Sequence, residues 1–562
     1  MNRFWNWIKE AVFDDAGPIS ALNASKCIVF AALFSLMQLI GRDLKTDNKI
    51  NYSPLKGVVL FSLCFCISLA AAIVCLKILE KAVVIFNKAD ENCNYRTFSI
   101  REYVFLNIRN LMFWMPYYIL FFPGTSNNGD TEKQLRMFFH REGIGFPLNV
   151  SPIQGPDIFI TDHHPVFTTW LYGSFVKLGL LLGSAAIGVA IFSFLQMICF
   201  SLALTWIWAR LPQLGVDHRF IKAGTWFTAL FPYYPIMSVC MVKDVTFSFF
   251  CILLMLFLFE LMVSDGELWK KRWFTSLLTL VVLFFILSKG QGKYLAAVLF
   301  VILLFAYRKN WKELLISFVV PILFVQTIWV NVLFPLWNVS PGGKQETLGP
   351  LFQQTARYAV NYGNEVTEEE KEAISAVLDY DRLAEVYNPE LTDPVKLTFR
   401  QAATDEQLKG YYKTWFSMLM KHPGVYFAAT LNTSYKFFDI TWKDLPIFTR
   451  FVSRVDETDE LYIKSYFTGG ELNKKIRKLF LLIEYIPIVG LIFVPSFYTW
   501  LTIFCFLAVL KKNSIKQIGC VSLPFCSVLI FFACPGNLPR YSMPIILMAA
   551  IMLVSTLYRK TK

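Results

Sequence analysis

Long apolar runs separated by brief polar breaks set the pattern of this chain. Stretches near 20–41, 57–79, 104–122, 184–208, 222–241, 245–263, 274–288, 293–308, 313–336, 486–510, 516–534 and 541–558 are dominated by Leu, Ile, Val, Phe and Ala. A helix rises ~1.5 Å per residue, so about 20 such residues cover ~30 Å of hydrocarbon. The pattern predicts an all-α polytopic membrane protein with about 12 transmembrane helices. Basic clusters at 81–109, 210–222, 270–272, 308–312, 511–516 and 559–562 fall on one side if the spans alternate. That side reads as cytoplasmic, with both termini on it. One more apolar run, 166–183, would upset the alternation if it crossed. It is therefore read as a helix lying at the outer interface, where Trp170, Tyr172 and Lys177 suit the depth.

Two polar regions are then long and outward, about 123–183 and 337–477. The second predicts a small, mainly helical extracytoplasmic domain. Thr367 to Glu370 and Thr404 to Gln407 have the spacing of capping boxes, Asn388-Pro389 and Asp393-Pro394 mark turns, and Pro423 suits a first helical turn. The organisation is thus an amphipathic start with two spans and a basic loop (1–100), a membrane core with the outer loop 123–183 (101–336), the outer domain (337–477) and the last spans (478–562).

Composition sharpens this picture. The 562 residues are 55% hydrophobic and 17% charged, with a mean hydropathy of +0.47. The formal charge of +13 sits mostly in short stretches beside apolar runs, which argues for membrane orientation and against a nucleic-acid partner. Most of the twelve cysteines lie in apolar segments and none falls between Cys251 and Cys505, so the outer domain is expected to fold without disulfides. The first residues lack a cleavable signal pattern, and the first span reads as a retained anchor.

Polar chemistry concentrates in the first outer loop. It reads PGTSNNGDTEKQLRMFFHREG and, further on, FITDHHPVFTTWLYG, and it holds three of the five histidines. Asp130 is a candidate base; Asp162, His163 and His164 are candidate metal ligands or donor-positioning groups. Each could instead be a helix cap or an interfacial side chain. Outer turns also carry positive charge against the usual bias: Lys243-Asp244, Lys289 and Lys293 among glycines, and Arg540-Tyr541. Cations placed there suit an anionic ligand such as a lipid phosphate, and the glycines near Lys289 would allow its close approach. Gln353, Gln354, Arg357, Tyr411, Tyr412 and Trp415 of the outer domain are further contact candidates, with ordinary helix packing the favoured reading.

These residues resemble the GT-C membrane glycosyltransferases, which include protein O-mannosyltransferases, oligosaccharyltransferase catalytic subunits and bacterial aminoarabinose transferases. Asp130 matches the acidic residue of that superfamily's first outer loop. The stretch 131–141 and the helix after Pro165 match its two surface helices. His164-Pro165 is similar to the His-Pro-Pro of the mannosyltransferase branch, with Val166 in place of the second proline. Arg540-Tyr541 is similar to the Arg-Tyr of bacterial members. The chain departs in its two additional N-terminal spans and in its lone acid, followed by Thr131 and Glu132 instead of a second paired carboxylate, which leaves a divalent metal requirement open.

The resemblance implies an inverting transferase. Its donor is a polyprenyl-phosphate-linked sugar and its acceptor an extracytoplasmic glycan, lipid or protein. Asp130 would be the base, and Asp162, His163, His164, Lys243, Asp244, Lys289, Lys293, Arg540 and Tyr541 would bind the donor and its phosphate. A bacterial plasma membrane fits such a chain. The rival readings are a transporter or flippase of a lipid-linked or anionic substrate, and a surface-polysaccharide polymerase or ligase.

Overall fold

Apolar runs free of turn residues wind into helices because a helix satisfies its backbone N–H and C=O groups within one segment, as a water-free surrounding demands. The computed structural model describes residues 21–50, 54–88, 98–127, 129–141, 152–153, 155, 157–487, 489–511 and 514–559. The amphipathic N-terminal stretch, part of the basic loop before residue 98 and most of the Pro/Gly-rich passage before Asp157 lie outside them.

The first helices are α1 (Ala21–Asp47), α2 (Pro54–Phe86), α3 (Ile100–Leu120), α4 (Asp130–Phe138), α5 (Val166–Leu181), α6 (Ala185–Arg210), α7 (His218–Leu230), α8 (Tyr233–Ser238), α9 (Lys243–Val263), α10 (Arg272–Ser288), α11 (Gly292–Ala306) and α12 (Arg308–Leu336), with the short α4 and α8 among them. Part of α12 is wound as π-helix, at Leu315–Val319 and Phe324–Leu333. Then follow α13 (Gln345–Tyr362), α14 (Glu368–Ser375), α15 (Tyr380–Val386), α16 (Asp405–Lys421), α17 (Pro423–Asn432), α18 (Gly470–Ile483), α19 (Pro495–Val509), α20 (Ile515–Leu529) and α21 (Met543–Leu557).

Among the described residues, seven helices are long and apolar enough to cross a membrane: α1, α2, α6, α9, α12, α20 and α21. The runs 274–288, 293–308 and 486–510 give the shorter apolar helices α10, α11 and α19. The run 222–241 is split. Phe231 leaves α7 in an extended conformation and Pro232, which has no N–H to donate, leads into the separate turn of α8.

The core gathers around α9, whose Phe247, Cys251, Met255 and Phe259 are fully buried among α6, α10, α20 and α21. On α2 the apolar side chains instead face outward, and Ile67 is 72% exposed. A surface of that kind is stable only against an apolar surrounding, as for a membrane protein.

Helix α5 packs along α6 with backbones in close approach: a Cβ on Gly188 would come within 2.1 Å of the Phe175 carbonyl oxygen. Tyr172 faces into the protein and not away from it. The ring is fully buried and its hydroxyl lies 2.7 Å from Thr246 Oγ1. Trp170 packs against Trp329 and Trp337.

Helices α13 to α17 enclose their own core of Phe352, Tyr358, Leu383, Tyr411 and Met418. Both capping boxes form, at Thr367 with Glu370 and at Thr404 with Gln407, and Pro423 opens α17. The segment after this helical part is irregular and runs back to the first outer loop, where Val452 N donates to Ser126 Oγ and Arg141 pairs with Glu460. All cysteines among the described residues are free. A parallel two-strand ladder, β1 (Ile160–Thr161) with β2 (Val339–Ser340), joins the first outer loop to the start of the outer helical part.

Candidate functional site

Asp130 is the first residue of α4, a short amphipathic helix held in place on three sides. Gly129 before it takes a left-handed conformation (φ 95°) that suits glycine, and a Cβ there would meet the Arg454 guanidinium at 2.8 Å. Thr131 Oγ1 donates to the Met241 carbonyl (2.5 Å), and the Gln134 amide donates to Thr168 and Thr169 of α5. Glu132 accepts from Arg136 (3.1 Å) and from the Arg454 amide. These contacts leave the Asp130 side chain pointing into the molecule instead of capping its own helix.

Asp130 meets cations from distant parts of the chain. Arg540 Nη1 donates to Asp130 Oδ2 at 2.7 Å, and Lys243 Nζ stands 3.5 Å from the same oxygen. Lys243 Nζ also lies 2.7 Å from His164 Nδ1. One residue on, Asp244 is buried in the first turn of α9, where a helix N-terminus favours a carboxylate. Lys289, just past the end of α10, donates to Asp244 Oδ1 at 2.5 Å and lies 4.7 Å from the centre of the Tyr541 ring. Arg540 Nε reaches to 3.9 Å from Asp244 Oδ2. The constellation therefore unites Asp130, His164, Lys243, Asp244, Lys289, Arg540 and Tyr541, separated by up to 411 positions in the chain.

Its electrostatics follow from this count. Three cations face two carboxylates, a surplus of one positive charge in a poorly solvated place. Burial alone would raise the Asp130 carboxyl, but the Lys243 ammonium and Arg540 guanidinium outweigh it and hold the group well below the usual carboxylate range. Burial, reinforced by Lys243, drives the His164 imidazole well below its ordinary value, so the ring is neutral. An ammonium can only donate, which makes Nδ1 the acceptor and leaves the ring proton on Nε2. That atom is buried without a partner, as are Asp244 Oδ2 and Arg540 Nε. The donors among these, His164 Nε2 and Arg540 Nε, lie beside surplus positive charge and suit a phosphate, whereas Asp244 Oδ2 is an acceptor and faces Arg540 Nε at 3.9 Å.

The other candidates stand apart from this centre. Asp162 Oδ1 accepts from the Val166 amide (3.2 Å) and so caps the entry to α5; burial pushes its carboxyl up to about 7. His163 turns to the outer domain, with Nδ1 3.3 Å from Glu346 Oε1, and Glu346 is held by Lys396 at 2.8 Å. Burial opposes ionisation of Glu346, yet the hydrogen bond from His163 and the charge of Lys396 bring it down to about 2. Lys293 lies over its neighbour Tyr294. Gly292 packs against the Phe285 carbonyl, 2.6 Å from where its Cβ would be, while Gly290 has open space around it. Close backbone approach is used by Gly292 within the protein itself.

A divalent ion does not fit the ligands as placed. Among the described residues no group of three or more His, Cys, Asp and Glu side chains is gathered, and His163 and His164 turn to different partners. In the outer domain Tyr411 is fully buried on Thr355, Gln354 bonds Thr430 and Trp415, and Arg357 bonds Tyr387 and the Asn48 carbonyl. These are packing roles. Sequence reasoning missed Glu132, Glu346 and Lys396; the EKQLR spacing of Glu132 and Arg136 was the one local signal, since their i,i+4 relation predicts a pair on one helix face.

No curated protein and no solved structure matches the chain. Over residues 19–562 it matches the family described as "Family of unknown function (DUF6020)", and the chain belongs to that family.

Proposed function

We propose that this protein is a membrane glycosyltransferase that takes a sugar from a polyprenyl-phosphate donor and passes it, with inversion, to an acceptor outside the cytoplasmic membrane. The observation that carries the reading is Asp130 paired with Lys243 and Arg540 beside the Asp244–Lys289 pair, so that three cations face two acids. In the proposed reaction Asp130 takes the proton of an acceptor hydroxyl. The hydroxyl oxygen bonds to the anomeric carbon as the bond from that carbon to the phosphate oxygen breaks. The lipid phosphate leaves as an anion beside Lys243, Lys289 and Arg540. At rest Asp130 is a weak base because its ion pairs stabilise the charged form. A donor phosphate drawing Arg540 and Lys243 toward itself would loosen those pairs and restore basicity when the substrate is in place. His164 Nε2–H is a further donor toward the substrate.

The membrane setting belongs to the same proposal: twelve crossings, both termini cytoplasmic, the site at the outer face and a bacterial plasma membrane. The seven long apolar helices and their shorter companions support the membrane part of that setting. The second reading, a carrier of a lipid-linked or anionic substrate, draws on the same positive surplus, as does a polysaccharide polymerase or ligase. The charges described here gather at helix ends, which favours chemistry at a membrane surface over passage through its middle.

The test is transfer of radiolabelled sugar from polyprenyl-phosphate-sugar donors in membranes holding wild-type protein or Asp130→Asn at equal levels. Loss of a general base is expected to lower the rate by ~10²–10⁴-fold. Equal rates would remove Asp130 from the chemistry. Absence of transfer by the wild type across several donors, with uptake of the same compounds into proteoliposomes, would replace the transferase by the carrier.

A further inference from the structure

The outer-domain side of the bundle carries a second polar-headed feature, away from Asp130. A groove of about 760 Å³ runs between α1 and α2, its walls made by Phe30, Phe34, Leu63 and Ile67 and its upper end by Gln38, Arg42, Lys45, Asp439 and Thr441. Gln38 Nε2 donates to the Phe438 carbonyl (2.6 Å) and Lys45 Nζ lies 3.5 Å from Thr441 Oγ1, which fixes the polar end against the chain that follows α17. That chain is bonded in turn to Asn537, three residues before Arg540. The head of the groove and the constellation at Asp130 therefore lie toward the same end of the bundle.

Charge identifies the occupant. The end of α1, the residues just after it and the start of α2 hold Arg42, Lys45, Lys49 and Lys56 against Asp43 and Asp47. Arg42 pairs with Asp43 yet remains 48% exposed, and Lys45, Lys49 and Lys56 are exposed. Asp439, the acid at the groove head, is already engaged by the amide and hydroxyl of Thr441. An apolar channel open along its length, with four exposed cations against three carboxylates near its head, matches a lipid with an anionic head. The lining residues are not those around Asp130, so a lipid held here is not at the reacting centre.

We propose that the α1–α2 groove binds an anionic glycerophospholipid of the surrounding leaflet, its phosphate at Arg42 and Lys45 and a chain along Leu63 and Ile67. The site requires that the chain be embedded in a membrane and is independent of the transferase reading.

The experiment uses full-length protein extracted from membranes, loaded with deuterated phosphatidylglycerol or phosphatidylethanolamine, and examined by native mass spectrometry. Phosphatidylglycerol is expected to stay bound to the wild type and to the control Lys474→Gln/Lys475→Gln. In Arg42→Gln/Lys45→Gln its affinity should fall about 30-fold, the loss expected for two cations near a bilayer surface. Leu63→Trp, on a side chain 58% exposed and so tolerant of bulk, should block the chain and lower retention without touching the charges. Unchanged retention in both variants, or equal retention of the two phospholipids, would overturn the proposal. Selective displacement of phosphatidylglycerol by added polyprenyl phosphate would overturn it in favour of a carrier-lipid site.

Discussion

Replacing Lys289 by methionine tests whether the charged constellation is held by the pair described above. Lys289 Nζ is 2.5 Å from Asp244 Oδ1, and Arg540 Nε is 3.9 Å from the other oxygen. With an effective dielectric of ~20 these separations correspond to attractions of about 7 and about 4 kcal/mol, most of which offsets the desolvation of the ions. Removing one partner of a buried pair typically costs ~3–5 kcal/mol, because the remaining charge stays buried. The Asp244 side chain is fully enclosed, but Arg540 still faces it, so Lys289→Met should cost about 3 kcal/mol, the low end of that range. Adding Asp244→Asn removes the stranded charge and leaves mainly a lost hydrogen bond, about 1 kcal/mol. Thermal unfolding of the purified proteins in detergent, followed by tryptophan fluorescence, should rank wild type first, the double variant second and Lys289→Met last. A single variant as stable as wild type, or two singles whose effects simply add, would refute the argument.

The remaining predictions concern pH and glycine. Asp162 has its carboxyl raised to about 7, above the ~3.9 of an unfolded chain, so the native state holds the proton more tightly. Its contribution is complete below about pH 4 and is lost as the pH rises toward 7; Asp162→Asn should flatten a midpoint-versus-pH curve between about pH 4 and 7, and identical slopes would discard this assignment. Gly188→Ala would force backbone against backbone at 2.1 Å and should destabilise by about 3 kcal/mol or more. Gly410→Ala, exposed on α16 with nothing within 4 Å, should instead gain ~0.5–1 kcal/mol. A reversed order of the two midpoints would show that the close contact of α5 and α6 is misplaced.

What could be read in advance was what local spacing encodes. The apolar runs yielded helices because their length and composition admit little else, and both capping boxes lie within four residues. The break at Phe231-Pro232 was hidden because the run stays apolar across it. For the candidate site, the cations at 243, 289 and 540 were legible one by one as charges at the ends of apolar runs. Their grouping with Asp130 around one phosphate came from the resemblance and not from spacing, since each contact joins distant positions. The same limit hid Glu346, which meets His163 across 183 residues, and Lys396, which meets Glu346 across 50. Asp162 shows the opposite case. Its dual reading as cap or ligand was visible from sequence, and Asp162 accepts from the first amide of α5 while Pro165 holds the N-cap position.

The short parallel ladder of Ile160–Thr161 with Val339–Ser340 has a mechanical consequence. It is only two residues long and is backed by the side chains of Met137, Val166 and Phe334. Asp162, His163 and His164 follow it immediately, and the outer helical part begins just beyond its second strand. Tension on that part is thus in series with the strand leading to His164. A slip by one residue would move the strand ~3.3 Å and turn its side chains to the opposite face. A displacement of that part carried through the second strand therefore either breaks the ladder or moves the histidine segment with it.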